Sequence, residues 1–372
     1  MLGKVRILFT IPNFLTAGSG REMFNIVERL DKNIFEPIIA VNQVGGALYD
    51  EILNRGYPII SEKFCVDEHK PKFNKVISAV LLAKKFKRYN FQIWQSFNWS
   101  SDYTEALVAR FSGARYIYVK KNMNWDRQAW KIKSILSTAI VARNTDLTNG
   151  PLNKRRFRHK TFFVPGGISA DFWSSPSYDW RLRFNIPADA TLVSCIAQLV
   201  KVKDQATLIR AVNEIDNVYL ILAGAERDVA YTNSLRQLIA EKQLEERVFF
   251  AGSVGNVSEL LQASDIFVLP TTNADGHEEG CPVALLEAMA AGVPCIVSDV
   301  AGSRDLARPR QTGLLFAPGQ VAELAECIKY YMENPDVASA IASNGKEMVK
   351  AHYTLEKEAE GFSNMYKKIM KL

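Results

Sequence analysis

The chain has 372 residues, more than one ordinary core holds, and at roughly 150 residues per domain it is expected to form two domains. With 48% hydrophobic and 23% charged residues it is neither disordered nor collagen-like, and no apolar run reaches the ~20 residues of a membrane-spanning helix. Charge is divided unevenly: residues 1–170 hold 27 Lys and Arg against 13 Asp and Glu, a net of +14, whereas residues 171–372 hold 19 against 27, a net of −8. Halves of opposite sign indicate two domains with different ligands, the basic one suited to anionic groups.

In chain order, Val5 to Pro12 reads as a strand running into a turn, with no small-residue cleavage site after it, so a cytoplasmic protein is expected. Further strands are expected over 37–41, 57–60, 91–95, 116–119, 138–141 and 161–164, then over 191–197, 218–223, 248–251, 266–269, 295–298 and 313–316. Helical patterns fill gaps such as 21–30, 73–88, 204–214, 232–242 and 321–332. Strands without polar alternation, separated by helices, mean parallel sheets covered on both faces, and so two Rossmann-like α/β domains in tandem. Breakers from Pro165-Gly166-Gly167 to Pro176 mark the linker. The expected domains are 1–168, for acceptor binding, and 169–355, for donor binding; a tail helix, 356–372, is free to pack back on the first.

Five cysteines (Cys65, Cys195, Cys281, Cys295, Cys327) never form C-x-x-C, and four dispersed histidines form no H-E-x-x-H. No Asp-x-Asp triplet is present either, so no metal and no cofactor are expected. Residues 73–88 interleave Phe73, Val76, Ile77, Val80 and Leu81 with Lys75, Lys84, Lys85, Lys87 and Arg88. Such a helix either covers a sheet with a solvated basic face or lies on anionic lipid. The basic cluster at 154–160 lacks any nucleic-acid recognition pattern, so nucleic acid is not an expected partner.

The most informative segment runs from the strand at 266–269 and Pro270 through a polar loop to Glu279-Gly280-Cys281-Pro282-Val283-Ala284-Leu285-Leu286-Glu287, then to Gly292-Val293-Pro294 and the next strand. Pro282 suits a first helical turn, where its missing N–H costs nothing, and Gly292 suits the stop. The helix therefore starts at the C-terminal end of a parallel strand, where open α/β sheets bind ligands. Gly280 leaves room for a phosphate at the positive end of the helix. Eight residues, about 2.2 turns, separate the two glutamates, so both can address one extended ligand. Carboxylates repel phosphate, so their partners are hydroxyls, and a nucleotide sugar carries hydroxyls on both sides of a diphosphate.

The Glu279–Glu287 segment resembles the E-x7-E signature of retaining family-4 glycosyltransferases of the GT-B fold, in which two Rossmann-like domains face each other across a cleft. Ile196-Ala197-Gln198-Leu199-Val200-Lys201-Val202-Lys203 is similar to the first strand and loop of that family's donor domain, and residues 218–224 and 248–252 to later strands. Pro165-Gly166-Gly167-Ile168 is similar to the family's entry to the linker, and Gly18-Ser19-Gly20 to the glycine-rich loop after the first strand. The resemblance implies that Glu287 binds ribose hydroxyls and Glu279 the donor sugar. It also implies that Gly280, Cys281, Pro282 and Val283 hold sugar and phosphate, and that Lys203 neutralises the diphosphate. Gly18 and Ser19 would close over the phosphates; Glu279 and Lys203 are the expected catalytic groups. Two departures stand out. Gln198 replaces the family's usual arginine, with Lys201 nearby, and Lys120, Lys121 and Asn122 stand where a histidine is common and are assigned to the acceptor site.

The expected reaction moves a hexose, with anomeric configuration retained, from a UDP-sugar or GDP-sugar to an acceptor hydroxyl in polysaccharide or glycolipid biosynthesis. The expected partners are that donor, an anionic or lipid-linked glycan acceptor, and an anionic membrane surface visited from the cytoplasm. A catalytically weak sugar-nucleotide-binding accessory protein and a sugar-nucleotide epimerase on the same fold are the alternatives.

Overall fold

The computed structural model describes residues 3–15, 17–66, 71–121, 123, 125, 128–169, 178–273 and 280–372. The chain forms two compact units, Met1–Gly166 with Leu355–Leu372, and Gly167–Thr354.

The first unit is built on a seven-stranded sheet: β1 Val5–Ile11, β2 Phe35–Val41, β3 Ile59–Ser61, β4 Ile93–Ser96, β5 Arg115–Lys120, β6 Ala139–Ala142 and β7 Thr161–Phe163. The strands lie in the order β3-β2-β1-β4-β5-β6-β7, and the described pairs are parallel. β1, β4 and β6 are buried almost throughout, which is why they read as apolar runs without alternation. One face carries a core around Phe9, Phe24, Phe35 and Phe97, and the other a core around Phe64, Phe86, Trp94 and Tyr116.

The second unit repeats the plan with six strands: β8 Thr191–Ile196, β9 Val218–Ala223, β10 Val248–Gly252, β11 Ile266–Leu269, β12 Cys295–Ser298 and β13 Leu314–Phe316. Their order is β10-β9-β8-β11-β12-β13, again parallel, so the order reverses between β8 and β11. That reversal is the doubly wound arrangement whose ligands bind outside the C-terminal strand ends.

The tail forms a helix, Leu355–Met370, and belongs to the first unit. Phe362, Met365 and Tyr366 are buried in the Phe9–Phe35 core, and Tyr366 donates a hydrogen bond to Gln95 Oε1 at 3.0 Å. Among the described residues no helix is long and apolar enough to cross a membrane.

One local expectation is corrected. Gly18-Ser19-Gly20 is not a loop but the first turn of a helix, Ala17–Arg29. Helix-starting N–H groups have no intrahelical partner, so glycine is tolerated there. Gly20 is further required by packing, since a Cβ on it would stand 2.9 Å from the Phe14 ring. The helix Lys72–Lys87, expected either to cover a sheet with a solvated basic face or to lie on anionic lipid, carries more than charge on its outer side. It buries Ala79, Ala83 and Phe86 and leaves Phe73, Val76, Ile77, Val80 and Leu81 exposed.

Candidate functional site

At the β8/β11 reversal two loops meet. Thr272, after β11, donates its N–H to the Val202 carbonyl, after β8, at 2.8 Å. On the other side, Ala197 and Leu199 donate to Ala223 and Ala225, each at 2.9 Å. Gly224 makes this approach possible: its φ is +157°, and a Cβ would lie 1.9 Å from the Ala197 oxygen. The loops after β8, β9 and β11 therefore sit together at one end of the sheet.

Lys203 closes the short turn Lys201–Lys203 after β8. Burial pushes its ammonium down to about 8, only partly opposed by Cys195. A cation held at this desolvation cost is one that an anion would re-charge. Gln198 in the same loop is exposed, and its carbonyl accepts from Gln205 Nε2 at 3.0 Å. Lys201 is exposed as well.

After β11, Gly280 and Pro282 are buried, Cys281 is half-buried, and Val283 opens the helix Val283–Ala291. Pro282 stands one place earlier than expected, as the N-cap with φ −75° and ψ 104°, because its ring fixes φ while ψ remains extended. Among the described residues no side chain caps this helix, and no acidic residue lies in its first turn to offset its positive end. Gly292 ends the helix in the left-handed conformation, φ 71°, with its N–H on the Ala288 and Met289 carbonyls.

Glu287 lies one turn inside this helix and is half-buried. Burial alone raises its carboxyl to about 7. With no cation as a cause, it is a desolvated acceptor suited to neutral donors such as hydroxyls. Glu279 lies outside the described residues, as does Asn122. Sequence reasoning missed Thr271, which is fully buried with an Oγ1 that has no hydrogen-bond partner among the described residues. Its position at the end of β11 was the signal that could have found it. A cavity of about 580 Å³ lined by Tyr178, Trp180, Arg181 and Asp265 lies elsewhere, at the N-terminal ends of β8 and β11.

In the first unit, Lys120 and Lys121 part company. Lys120 is fully buried, its Nζ 3.7 Å above the Trp130 ring, and burial with nearby Lys133 pushes it down to about 7. Lys121 turns to the opposite face, toward the Ala17–Arg29 helix, where Nζ donates to Ser19 Oγ at 2.9 Å and Glu22 Oε2 at 2.5 Å. Glu22 also pairs with Arg143, which meets Glu358 of the tail helix at 2.7 Å. Ser19 and Lys121 are thus brought together in one network, Lys120 belongs to another, and Gly18 is exposed at the start of the helix. Glu22, Arg143 and Glu358 were not foreseen. Arg143 follows β6 directly, so a search of strand ends would have reached it.

Solved structures share this fold along nearly the whole chain. A glycosyltransferase from Rickettsia africae superposes with a TM-score of 0.84 at 19% identity, covering 99% of each chain. HepE from Anabaena, solved in complex with UDP and glucose, superposes with a TM-score of 0.81 at 17% identity, covering 98% of this chain and 100% of that one. Two parallel-sheet Rossmann-like units with these neighbours make the fold GT-B. By sequence, the chain is similar to a GDP-mannose-dependent alpha-(1-6)-phosphatidylinositol monomannoside mannosyltransferase of Mycobacterium tuberculosis, at 29% identity over 51% of each protein. It is also similar to the lipopolysaccharide core biosynthesis glycosyltransferase LpsD of Rhizobium meliloti, at 30% identity over 50% of this chain and 52% of that protein. The chain thus spans about half the length of these curated relatives. Residues 178–348, which carry the loops after β8 and β11 and the helix after them, match the family model for group 1 glycosyl transferases.

Proposed function

We propose that the chain is a retaining hexosyltransferase that takes its sugar from a nucleoside-diphosphate donor. The observation that carries this reading is the uncapped Val283–Ala291 helix, entered through Gly280 and Pro282, with the desolvated Glu287 one turn inside it. The helix start suits a diphosphate, Glu287 suits ribose hydroxyls, and Lys203 supplies a cation from the adjoining loop. Glu279 is assigned to the donor sugar, with Gln198, Cys281 and Val283 around the same ligand. Gly18 and Ser19 are assigned to the donor phosphates, and Lys120, Lys121 and Asn122 to the acceptor.

In the proposed step the bond from the anomeric carbon to the diphosphate oxygen breaks as the bond to the acceptor oxygen forms on the same face. The acceptor proton passes to the departing diphosphate. Lys203 and the helix N–H groups stabilise the charge growing on that leaving group, so no metal is required. The acceptor is assigned as an anionic or lipid-linked glycan at the cytoplasmic face of a membrane. The +14 net charge of residues 1–170 supports this, as do relatives named for phosphatidylinositol mannosides and lipopolysaccharide core.

A thermal-shift screen of GDP-sugars and UDP-sugars tests the reading, because one relative is named for GDP-mannose and one neighbour was solved with UDP. A donor at one hundred times its Kd should stabilise the fold by about 2.7 kcal/mol. Absence of a shift with every nucleotide sugar refutes the donor site. Conversion of a donor to an isomer without any acceptor would favour the epimerase alternative.

A further inference from the structure

The helix Lys72–Lys87 has two apolar faces, and the fold uses only one. Ala79, Ala83 and Phe86 are buried against the first unit's core. Phe73 is 76% exposed and Leu81 58%, with Val76, Ile77 and Val80 between 38% and 45%. Their spacing, i, i+3, i+4, i+7 and i+8, sets them in one stripe along the outer side. A contiguous outer stripe of large apolar side chains marks a contact surface, whereas singly scattered ones do not.

The charges around the stripe identify what covers it. The helix holds no acidic residue, and at 100° per residue Lys84, Lys87 and Arg88 fall on the same side, just beyond Leu81. Lys85 and Arg88 share Glu62, at 3.3 and 3.7 Å, while Lys84 and Lys87 have no ion pair among the described residues. A second copy of the chain would set these lysines against each other in a parallel twofold contact or against the opposite end of the helix in an antiparallel one, and in neither does the helix offer a carboxylate to receive them, which disfavours a dimer through this face. An anionic bilayer meets both requirements, taking the apolar stripe at its acyl boundary and the ammonium groups at its phosphates.

We propose that the outer face of the Lys72–Lys87 helix inserts in the surface of an anionic membrane. The apolar stripe supplies the part of the binding that salt does not screen, and Lys84 and Lys87 supply the part that it does. This surface is separate from the donor site and does not depend on the transferase reading.

Co-sedimentation of the full chain with phosphatidylcholine vesicles, with and without phosphatidylglycerol as a minority lipid, tests it. The wild type should sediment with the anionic vesicles and retain a residual bound fraction at high salt. Phe73→Ser with Leu81→Ser should weaken binding by about tenfold for each substitution and abolish the salt-resistant fraction. Lys84→Ser with Lys87→Ser should abolish the preference for phosphatidylglycerol and leave nucleotide-sugar affinity unchanged. Phe73→Trp should give a blue-shifted emission on adding anionic vesicles. These positions are exposed, so melting temperatures should match the wild type, and a collapse in Tm would show that the stripe holds the fold. Wild-type vesicle binding by the Phe73/Leu81 variant, or a wild-type dimer that this variant dissociates, would overturn the proposal.

Discussion

Glu287→Gln should separate the cost of the donor site from its use. The folded chain holds the Glu287 carboxyl at about 7 through burial, against 4.5 for the free group. Between these values the native state binds more protons than the unfolded state, so stability falls as pH rises through that window. Above pH 7 the difference of two to three pKa values corresponds to about 3 kcal/mol of destabilisation. Glutamine keeps the shape and removes the charge. The variant should therefore match the wild type near pH 4.5 and exceed it by up to about 3 kcal/mol at pH 8. The same change removes the ionised acceptor assigned to the ribose hydroxyls, and nucleotide-sugar binding should weaken by about 1.5–3 kcal/mol. Wild-type donor binding should also strengthen from pH 5 to 8, as the carboxylate forms. Denaturant melts at the two pH values, with calorimetric titration of the donor, read both effects. A variant that is no more stable at pH 8 and binds the nucleotide sugar normally would refute both the desolvation argument and the assignment of Glu287.

Lys203→Met should weaken nucleoside-diphosphate binding by about 1.5–3 kcal/mol in calorimetry. Because burial lowers Lys203 to about 8, wild-type stability should rise as pH increases from 8 to 10.5, and the methionine variant should lose that rise in melts across the same range. Turnover should survive a chelator. Loss of activity on chelation, restored by magnesium or manganese, would overturn metal-independent chemistry. Gly224→Ala should destabilise the second unit by roughly 3 kcal/mol or more, since its Cβ would stand 1.9 Å from the Ala197 oxygen; an unchanged denaturation midpoint would contradict the close approach of the two loops.

The strands were legible because both sheets are parallel and covered on both faces, so burial leaves uninterrupted apolar runs such as Ile266–Leu269. The helix stop at Gly292 was legible because a left-handed C-terminal residue selects glycine. What escaped depended on contacts distant in sequence. Nothing near Arg143 announces Glu22 or Glu358, which reach it from opposite ends of the chain. Gly18 to Gly20 misled because glycine marks loops in most settings, whereas Gly20 here makes way for Phe14 beneath a helix. The outer side of the Lys72–Lys87 helix stayed undecided in the sequence for a related reason. Apolar residues on both of its sides give one sequence signal, and only the neighbours decide which side is covered.

The return of the Leu355–Met370 helix to the first unit also sets the order in which the molecule can be completed. The chain leaves the first unit at Gly166 and re-enters it at Leu355, and Ile168 and Thr354 bridge side by side where the second unit starts and stops. The second unit is therefore an insertion with touching ends, all of whose residues are synthesised before the last helix of the first. Phe362, Met365 and Tyr366 are synthesised after the whole second unit, so the core around Phe9 and Phe35 stays unsealed until then. During synthesis the later unit can close first, against the usual N-terminal-first sequence of domain folding. Stalling translation just before Leu355 should yield a protease-resistant second unit attached to a first unit that is still readily cleaved.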